Sequence, residues 1–121
     1  MHHLAALSVA ASLSIVHVAQ GCHVWGTADS VALGPARTLV VKHGSAVKIR
    51  VNCSMDFRFE QVAGPKVALA DPLTHAGTVR TIVFPKKGVY RFRAVNVESS
   101  ADMGLQTLGP DNVLLLTVRA R

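Results

Sequence analysis

Residues 40–52 read VVKHGSAVKIRVN and combine a turn with an alternating strand. Val47, Ile49 and Val51 share one side of an extended chain, because successive side chains of a β-strand point to opposite faces. Basic and polar residues occupy the positions between them, and Gly44 is typical of a turn. The stretch therefore predicts a half-buried strand whose apolar face lies against a core.

The chain on either side of this stretch repeats the same organisation. Strand-length segments alternate with turn residues, and the predicted strands are Thr38–Lys42, Ala46–Asn52, Phe57–Val62, Val67–Ala70, Thr78–Phe84, Val89–Val97 and Val113–Arg119. About seven short strands with frequent turns are typical of a β-sandwich. We predict an all-β protein with an antiparallel Greek-key β-sandwich. An immunoglobulin-like sandwich fits the strand count equally well, and strand order distinguishes the two.

Four segments resemble the cupredoxins, a family of small β-sandwich domains. They are VVKHGSAVKIRVN at 40–52, FRFEQV at 57–62, TIVFPKKGVYRFRA at 81–94 and VLLLTVRA at 113–120. The resemblance implies that residues 38–121 form a cupredoxin-like β-sandwich.

The copper ligands of that family do not carry over. A blue-copper centre has two imidazoles and one thiolate in a near-trigonal plane, with a weak axial ligand such as methionine. The resemblance implies that the first histidine would fall near Phe57 and Phe59. It implies that the cysteine and second histidine would fall at the residues Ala94, Asn96 and Glu98. Only Met103 has the side chain of a family ligand, so we expect no type 1 copper site and no cofactor.

A different ligand set is the alternative hypothesis. Cys53, Met55 and Met103 carry soft sulfur atoms that suit Cu(I), and His75 adds an imidazole. These four residues would make the chain a copper-binding or electron-transfer protein with an atypical site. The competing interpretation is that Cys53 and Met55 fill space in a packed turn. The histidines of separate turns, His23, His43 and His75, are predicted to be ordinary surface residues.

The long segment Glu98–Asn112 follows the strand that would approach a copper loop. Fifteen residues are many for a connection within a compact domain, and such loops often serve a function. Met103, Leu105 and Leu108 either cover the open end of the sandwich or form a binding loop.

The first residues predict export. Leu4–Val16 is an uncharged apolar run of thirteen residues, which is short for a membrane span and typical of a signal-peptide core. We predict a signal peptide at residues 1–21, followed at 22–37 by a linker and first strand. The alternative for the apolar run is a buried helix of the domain.

Residues 18–22, VAQGC, resemble the lipobox of bacterial lipoproteins. The resemblance implies lipidation of Cys22 and a membrane anchor through the lipid. If Cys22 instead remains a thiol in an oxidising compartment, it can pair with Cys53. A lone Cys53 would be a small buried hydrophobic residue.

Charge and residue types narrow the function. The net charge is +6, and all 13 Lys and Arg residues lie at or beyond Arg37. They alternate with apolar residues rather than forming a run, which favours a solvated sheet face over a nucleic-acid interface. Asp56 and Glu60 have no partner dictated by spacing and are predicted to be solvated. We expect an exported, non-enzymatic binding or accessory domain of the cell envelope, whose partner is an envelope protein or ligand that the sequence does not identify.

Overall fold

The computed structural model describes residues 8–18, 23–69, 71–97 and 113–121, and within these ranges the regular structure is β-strand. The strands are β1 (Val9–His17), β2 (His23–Gly26), β3 (Ala32–Gly34), β4 (Ala36–Val41), β5 (Ala46–Asn52), β6 (Phe57–Ala63), β7 (Leu73–Thr74), β8 (Val79–Val83), β9 (Gly88–Asn96) and β10 (Val113–Ala120). No helix in this part of the chain is long and apolar enough to cross a lipid bilayer.

Two five-stranded sheets contain all of these strands. The first sheet has the order β3-β2-β1-β5-β8, and the second has the order β4-β10-β9-β6-β7. The predicted all-β sandwich is confirmed. Most strand pairs are antiparallel, as predicted, but β1 pairs in parallel with β5 and β10 pairs in parallel with β4. Each sheet is therefore mixed.

The core lies between the two sheets and follows the alternation read from the sequence. Val47, Ile49 and Val51 of β5 are completely buried. They pack in one cluster with Phe84, in the connection from β8 to β9, and with Tyr90 and Phe92 of β9. The basic residues of the alternating strands lie on the outer faces and are exposed, namely Lys48, Arg50, Arg58, Arg91 and Arg93. The predicted assignment of core and solvent faces is confirmed.

The buried Tyr90 anchors the connection that carries the chain from β8 in the first sheet to β9 in the second, so this segment is not the hairpin of two paired strands. Its hydroxyl donates to the carbonyl oxygen of Lys86 at 2.6 Å and accepts from the Lys86 backbone N–H at 3.1 Å. A buried tyrosine usually places its polar end against such partners. The hydroxyl thus fixes the turn that leads into β9, the strand approaching the long loop.

Residues 9–16 of the apolar run predicted as a signal-peptide core lie in β1. This strand lies between β2 and β5, and Leu13 and Ile15 are buried in the core cluster. Over residues 9–16 the run is therefore a strand rather than the helix considered as an alternative. Cleavage after residue 21 stays a prediction, and Cys22 lies outside the described residues. Residues 22–37, predicted to be a linker and first strand, include β2, β3 and the start of β4.

The predicted strand Val67–Ala70 is wrong over its described residues, 67–69, which are irregular. The Gln61 side chain explains this, because it donates to the Pro65 carbonyl at 2.7 Å and accepts from the Val67 N–H at 3.1 Å. These bonds curl the chain around Gln61. The partner of β6 on this side is instead the two-residue strand β7.

Candidate functional site

One end of the sandwich brings together residues from both sheets. Val16 near the end of β1 is paired with Asn52 at the end of β5, and Phe57 at the start of β6 is paired with Asn96 at the end of β9. The turn 53–56 connects β5 to β6 at this point. We call this region, with residues 16–17, 23, 52–57, 75 and 96, the sandwich end.

The positions at which the resemblance places copper ligands belong to the packed interior. Phe57, Phe59, Ala94 and Asn96 are each no more than 2% exposed. Two benzyl groups, a methyl group and an amide offer neither imidazole nor thiolate, so the residues present do not fit a blue-copper plane. Glu98 and Met103 lie outside the described residues.

The alternative copper set is partly assembled. Cys53 and Met55 are partly buried against the core, and the Cys53 thiol donates to the Met55 carbonyl at 3.7 Å. His75 lies on a second turn, with Nδ1 3.1 Å from Oδ2 of Asp56. The two turns therefore meet at Asp56. Met103 falls outside the described ranges, within which no group of three or more His, Cys, Asp or Glu side chains is arranged to hold a metal ion.

Asp56 organises the turn that carries His75. Its Oδ1 accepts a hydrogen bond from the Ala76 backbone N–H at 2.8 Å. That bond, followed by the hydrogen bond and charge of His75, lowers the pKa of Asp56 against the opposing effect of burial. The carboxylate is thus ionised at neutral pH, in a structural role.

Glu60 lies between two guanidinium groups on the outer face of the second sheet. It contacts Arg58 at 3.0 Å and Arg93 at 2.5 Å. The hydrogen bond from Arg93, then that from Arg58, lowers the pKa of Glu60. The sequence predicts that Asp56 and Glu60 are solvated charges with no partner dictated by spacing. The structure instead gives each carboxylate a defined hydrogen-bond partner. Because the pKa of each carboxyl group is lowered, neither group is suited to donate a proton near neutral pH.

The burial of His23 at the sandwich end was not predicted from the sequence. His23 is only 4% exposed, so its prediction as an ordinary surface histidine is wrong. Its ring packs edge-on against Phe57 with centroids 5.3 Å apart. Neither Nδ1 nor Nε2 has a hydrogen-bond partner among the described residues. The alternation HVWG was the available indication, because it places His23 on the same face as the buried Trp25.

A second histidine lies beside His23. His17 of β1 is directly opposite His23 of β2 in the antiparallel pair, and their ring centroids are 5.1 Å apart. Burial, and then the charge of His17, lowers the pKa of His23. His23 is therefore held as a neutral imidazole at neutral pH, which is the form that binds metal ions.

The other predicted site residues lie outside the described ranges. These are the lipidation site Cys22 and the loop residues Met103, Leu105 and Leu108. Lipidation and loop binding therefore stay predictions.

A basic groove of about 550 Å³ opens on the outer face of the first sheet. Lys48 and Arg50 line it together with Ser12, Val79 and Thr81. The two cations occupy the exposed strand positions that the alternation predicts, and no buried charged group lies behind them. The groove is consistent with a solvated basic face.

Comparison with known proteins gives similarity at the level of structure only. No protein-family model matches the chain, and no curated protein matches it. Two solved structures have a weak similarity to it. An amicyanin mutant in its reduced state has a TM-score of 0.49 and 17% sequence identity, covering 91% of this chain and 82% of its own. A purple cupredoxin from Nitrosopumilus maritimus has a TM-score of 0.49 and 18% identity, covering 89% and 98% respectively. Nothing about a metal or a partner carries over at such identities.

Proposed function

We propose that the chain is a non-enzymatic binding or accessory domain that acts through the sandwich end without a type 1 copper centre. The burial of Phe57, Ala94 and Asn96 supports this function most directly. These residues occupy the positions at which the resemblance places the copper ligands. Because they are packed into the core, an ion could not take their place without displacing core side chains.

The surface around the domain favours anionic partners. The net charge of +6 acts on any approaching molecule, and the exposed basic residues spread over both sheets make the attraction broad rather than local. We expect the partner, an envelope protein or ligand, to associate faster at low ionic strength than at high ionic strength.

Titration with Cu(II) tests the lack of a blue-copper centre. We expect no intense absorption at about 600 nm, the region of copper–thiolate charge transfer. Cys53→Ser is the control, because Cys53 is the cysteine among the described residues of the sandwich end that could act as the thiolate ligand. A strong blue band at one Cu(II) per chain, lost in the Cys53→Ser variant, would overturn the proposal.

A Cu(I) carrier is the second candidate, and one observation favours it. Asp56 joins the turn of Cys53 and Met55 to the turn of His75, so sulfur and imidazole groups lie on adjoining turns. Under this candidate, Cys53→Ser abolishes uptake of Cu(I) from a competing chelator and leaves the fold intact. His43→Ala is the matched control, because His43 bonds the carbonyl of Arg121 and lies outside the sandwich end. Equal uptake by both variants and the parent would exclude the candidate.

Location at the cell envelope remains a proposal based on the apolar run and on Cys22. Intact-mass measurement of the protein purified from its host tests it. A diacylglyceryl group on Cys22 adds mass to a chain that begins there, whereas a Cys22–Cys53 disulfide removes two hydrogens. A chain that retains residues 9–17 would exclude the predicted cleavage.

A further inference from the structure

We propose that His17 and His23 form a binding site for a divalent first-row transition-metal ion of the Zn(II) type. Both imidazoles lie in the part of the sandwich end that β1 and β2 form. The inference goes beyond the proposed function, which names no ion, and it concerns the chain that retains β1. It uses neither the blue-copper positions nor the Cys53, Met55, His75 and Met103 set.

The register of β1 on β2 creates the pair. In an antiparallel ladder, directly opposite residues point to the same face of the sheet. His17 follows Leu13 and Ile15 at intervals of two, so it shares their inward direction. It is nevertheless exposed, because it lies where the sandwich opens to solvent. An ion can therefore reach the pair from the side of His17.

The distance between the rings fits shared coordination. Two imidazoles bound to one tetrahedral ion through bonds of about 2.0–2.1 Å have ring centroids roughly 5 Å apart. The observed separation is 5.1 Å, and the rings are tilted by 57° rather than stacked. The two rings are therefore at a separation that shared coordination of one ion allows.

The state of His23 supports a ligand at this position. A buried polar atom without a hydrogen-bond partner destabilises the folded state, because it has lost its bonds to water. His23 has two such atoms, since neither ring nitrogen finds a partner among the described residues. A metal ion would satisfy one nitrogen directly.

The type of ligand indicates the type of ion. Imidazole suits Zn, Cu, Fe and Ni, whereas Mg and Ca prefer oxygen ligands. Two protein ligands leave positions on the ion for water or for a group of a partner molecule, as in sites that keep an open coordination position. The pair can therefore hold an ion that also contacts something bound at the sandwich end.

Zn(II) titration of the full chain tests the inference. The measurement is made in a background of His2→Ala and His3→Ala, so that the histidines at the amino terminus do not bind the ion. We expect one Zn(II) per chain by calorimetry and a thermal midpoint that rises with Zn(II) concentration. In NMR spectra, the ring resonances of His17 and His23 should shift on binding, whereas those of His43 should not.

His17→Ala is the deciding variant, because His17 is exposed and its replacement leaves the core intact. It should weaken Zn(II) binding by at least about tenfold, the lower end of the loss seen when only a supporting partner of a ligand is removed. His43→Ala is the matched control and should bind like the parent. His23→Gln should also weaken Zn(II) binding. If the His23→Gln variant fails to fold, the result for His17→Ala still tests the inference. Equal binding by His17→Ala and His43→Ala, or no stoichiometric uptake by the parent, would overturn the inference.

Discussion

The indole nitrogen of Trp25 donates a hydrogen bond to the backbone carbonyl of Leu115 at 2.8 Å and so joins the two sheets. Trp25 lies in β2 of the first sheet, and Leu115 lies in β10 of the second. The ring is completely buried, so its N–H requires a partner inside the protein. The bond therefore helps to hold β2, and with it His23, against the second sheet.

Trp25→Phe should destabilise the domain through this bond. The variant leaves the Leu115 carbonyl without its partner, which costs about 1–3 kcal/mol, and it adds a cavity beside the smaller ring. Urea unfolding followed by circular dichroism measures the change in the free energy of unfolding. A loss below about 1 kcal/mol would show that the bond contributes little.

Removing residues 1–21 should prevent folding. The truncation deletes β1 and its buried residues Leu13, Ile15 and Val16 from the middle of the first sheet. Each buried aliphatic side chain contributes about 1.5–3 kcal/mol, so the loss approaches the 5–15 kcal/mol that stabilises a typical domain. We expect the chain 22–121 to lack a cooperative unfolding transition.

Removal of residues 1–7 is the matched control, because it leaves β1 in place, and we expect this chain to fold. A cleaved signal peptide makes the opposite prediction for chain 22–121, which would then be the mature domain. A stable, cooperatively unfolding chain 22–121 would thus favour cleavage and contradict a structural role of β1.

Strands that expose one face to solvent can be predicted from the sequence, because their residues alternate between apolar and polar. In β5, Val47, Ile49 and Val51 alternate with exposed side chains, and this period of two identifies both the strand and its inner face. In β1, four consecutive residues from Leu13 to Val16 are buried. Burial on both faces removes the alternation from these residues, so periodicity cannot distinguish them from the core of a signal peptide.

The candidate ion site could not be predicted for a related reason. His17 and His23 become neighbours only through the pairing of β1 with β2, and His17 lay within the residues assigned to a leader. The identity of the residues at the blue-copper positions, in contrast, follows from the sequence alone. Their burial depends on packing between the sheets, which the sequence does not show.

Gly64→Ala should be much more destabilising than the same change at another glycine of similar conformation. Gly64 has φ +101°, and a Cβ there would overlap the Val89 carbonyl oxygen and lie 2.8 Å from the Cα of Tyr90. Both obstacles are backbone atoms, so the β6–β9 pairing itself would have to move. We expect a loss on the order of 3 kcal/mol or more, measured by chemical unfolding.

Gly77→Ala is the matched control for that variant. Gly77 has φ +80°, but a Cβ there would have no neighbour within 4 Å. Only the cost of the left-handed conformation applies, which is about 1–2 kcal/mol. Equal losses in Gly64→Ala and Gly77→Ala would show that the close approach to β9 can relax freely.

Acid should destabilise the domain partly through Asp56. The pKa of Asp56 is lowered in the folded state, chiefly by the Ala76 N–H and then by His75. A lowered folded pKa means that the carboxylate contributes stability above its unfolded pKa of about 3.9. This contribution is lost as the pH falls from that value through the folded pKa. Since the Asp56 side chain is partly exposed, solvent screening reduces the size of this contribution.

Asp56→Asn should therefore flatten the dependence of unfolding free energy on pH below about pH 4, because the variant has no proton to take up on unfolding. Above that pH it should be less stable than the parent, since the amide binds Ala76 without the charge that pairs with His75. Urea unfolding at a series of pH values measures both effects. Asp29→Asn, at an exposed turn, is the control for removing one negative charge. If both variants show the same pH profile, the hydrogen bond from Ala76 does not couple Asp56 to folding. The 75–78 turn must then be held at the sandwich end by other contacts, such as the backbone bonds that Gly77 and Thr78 make with Val51.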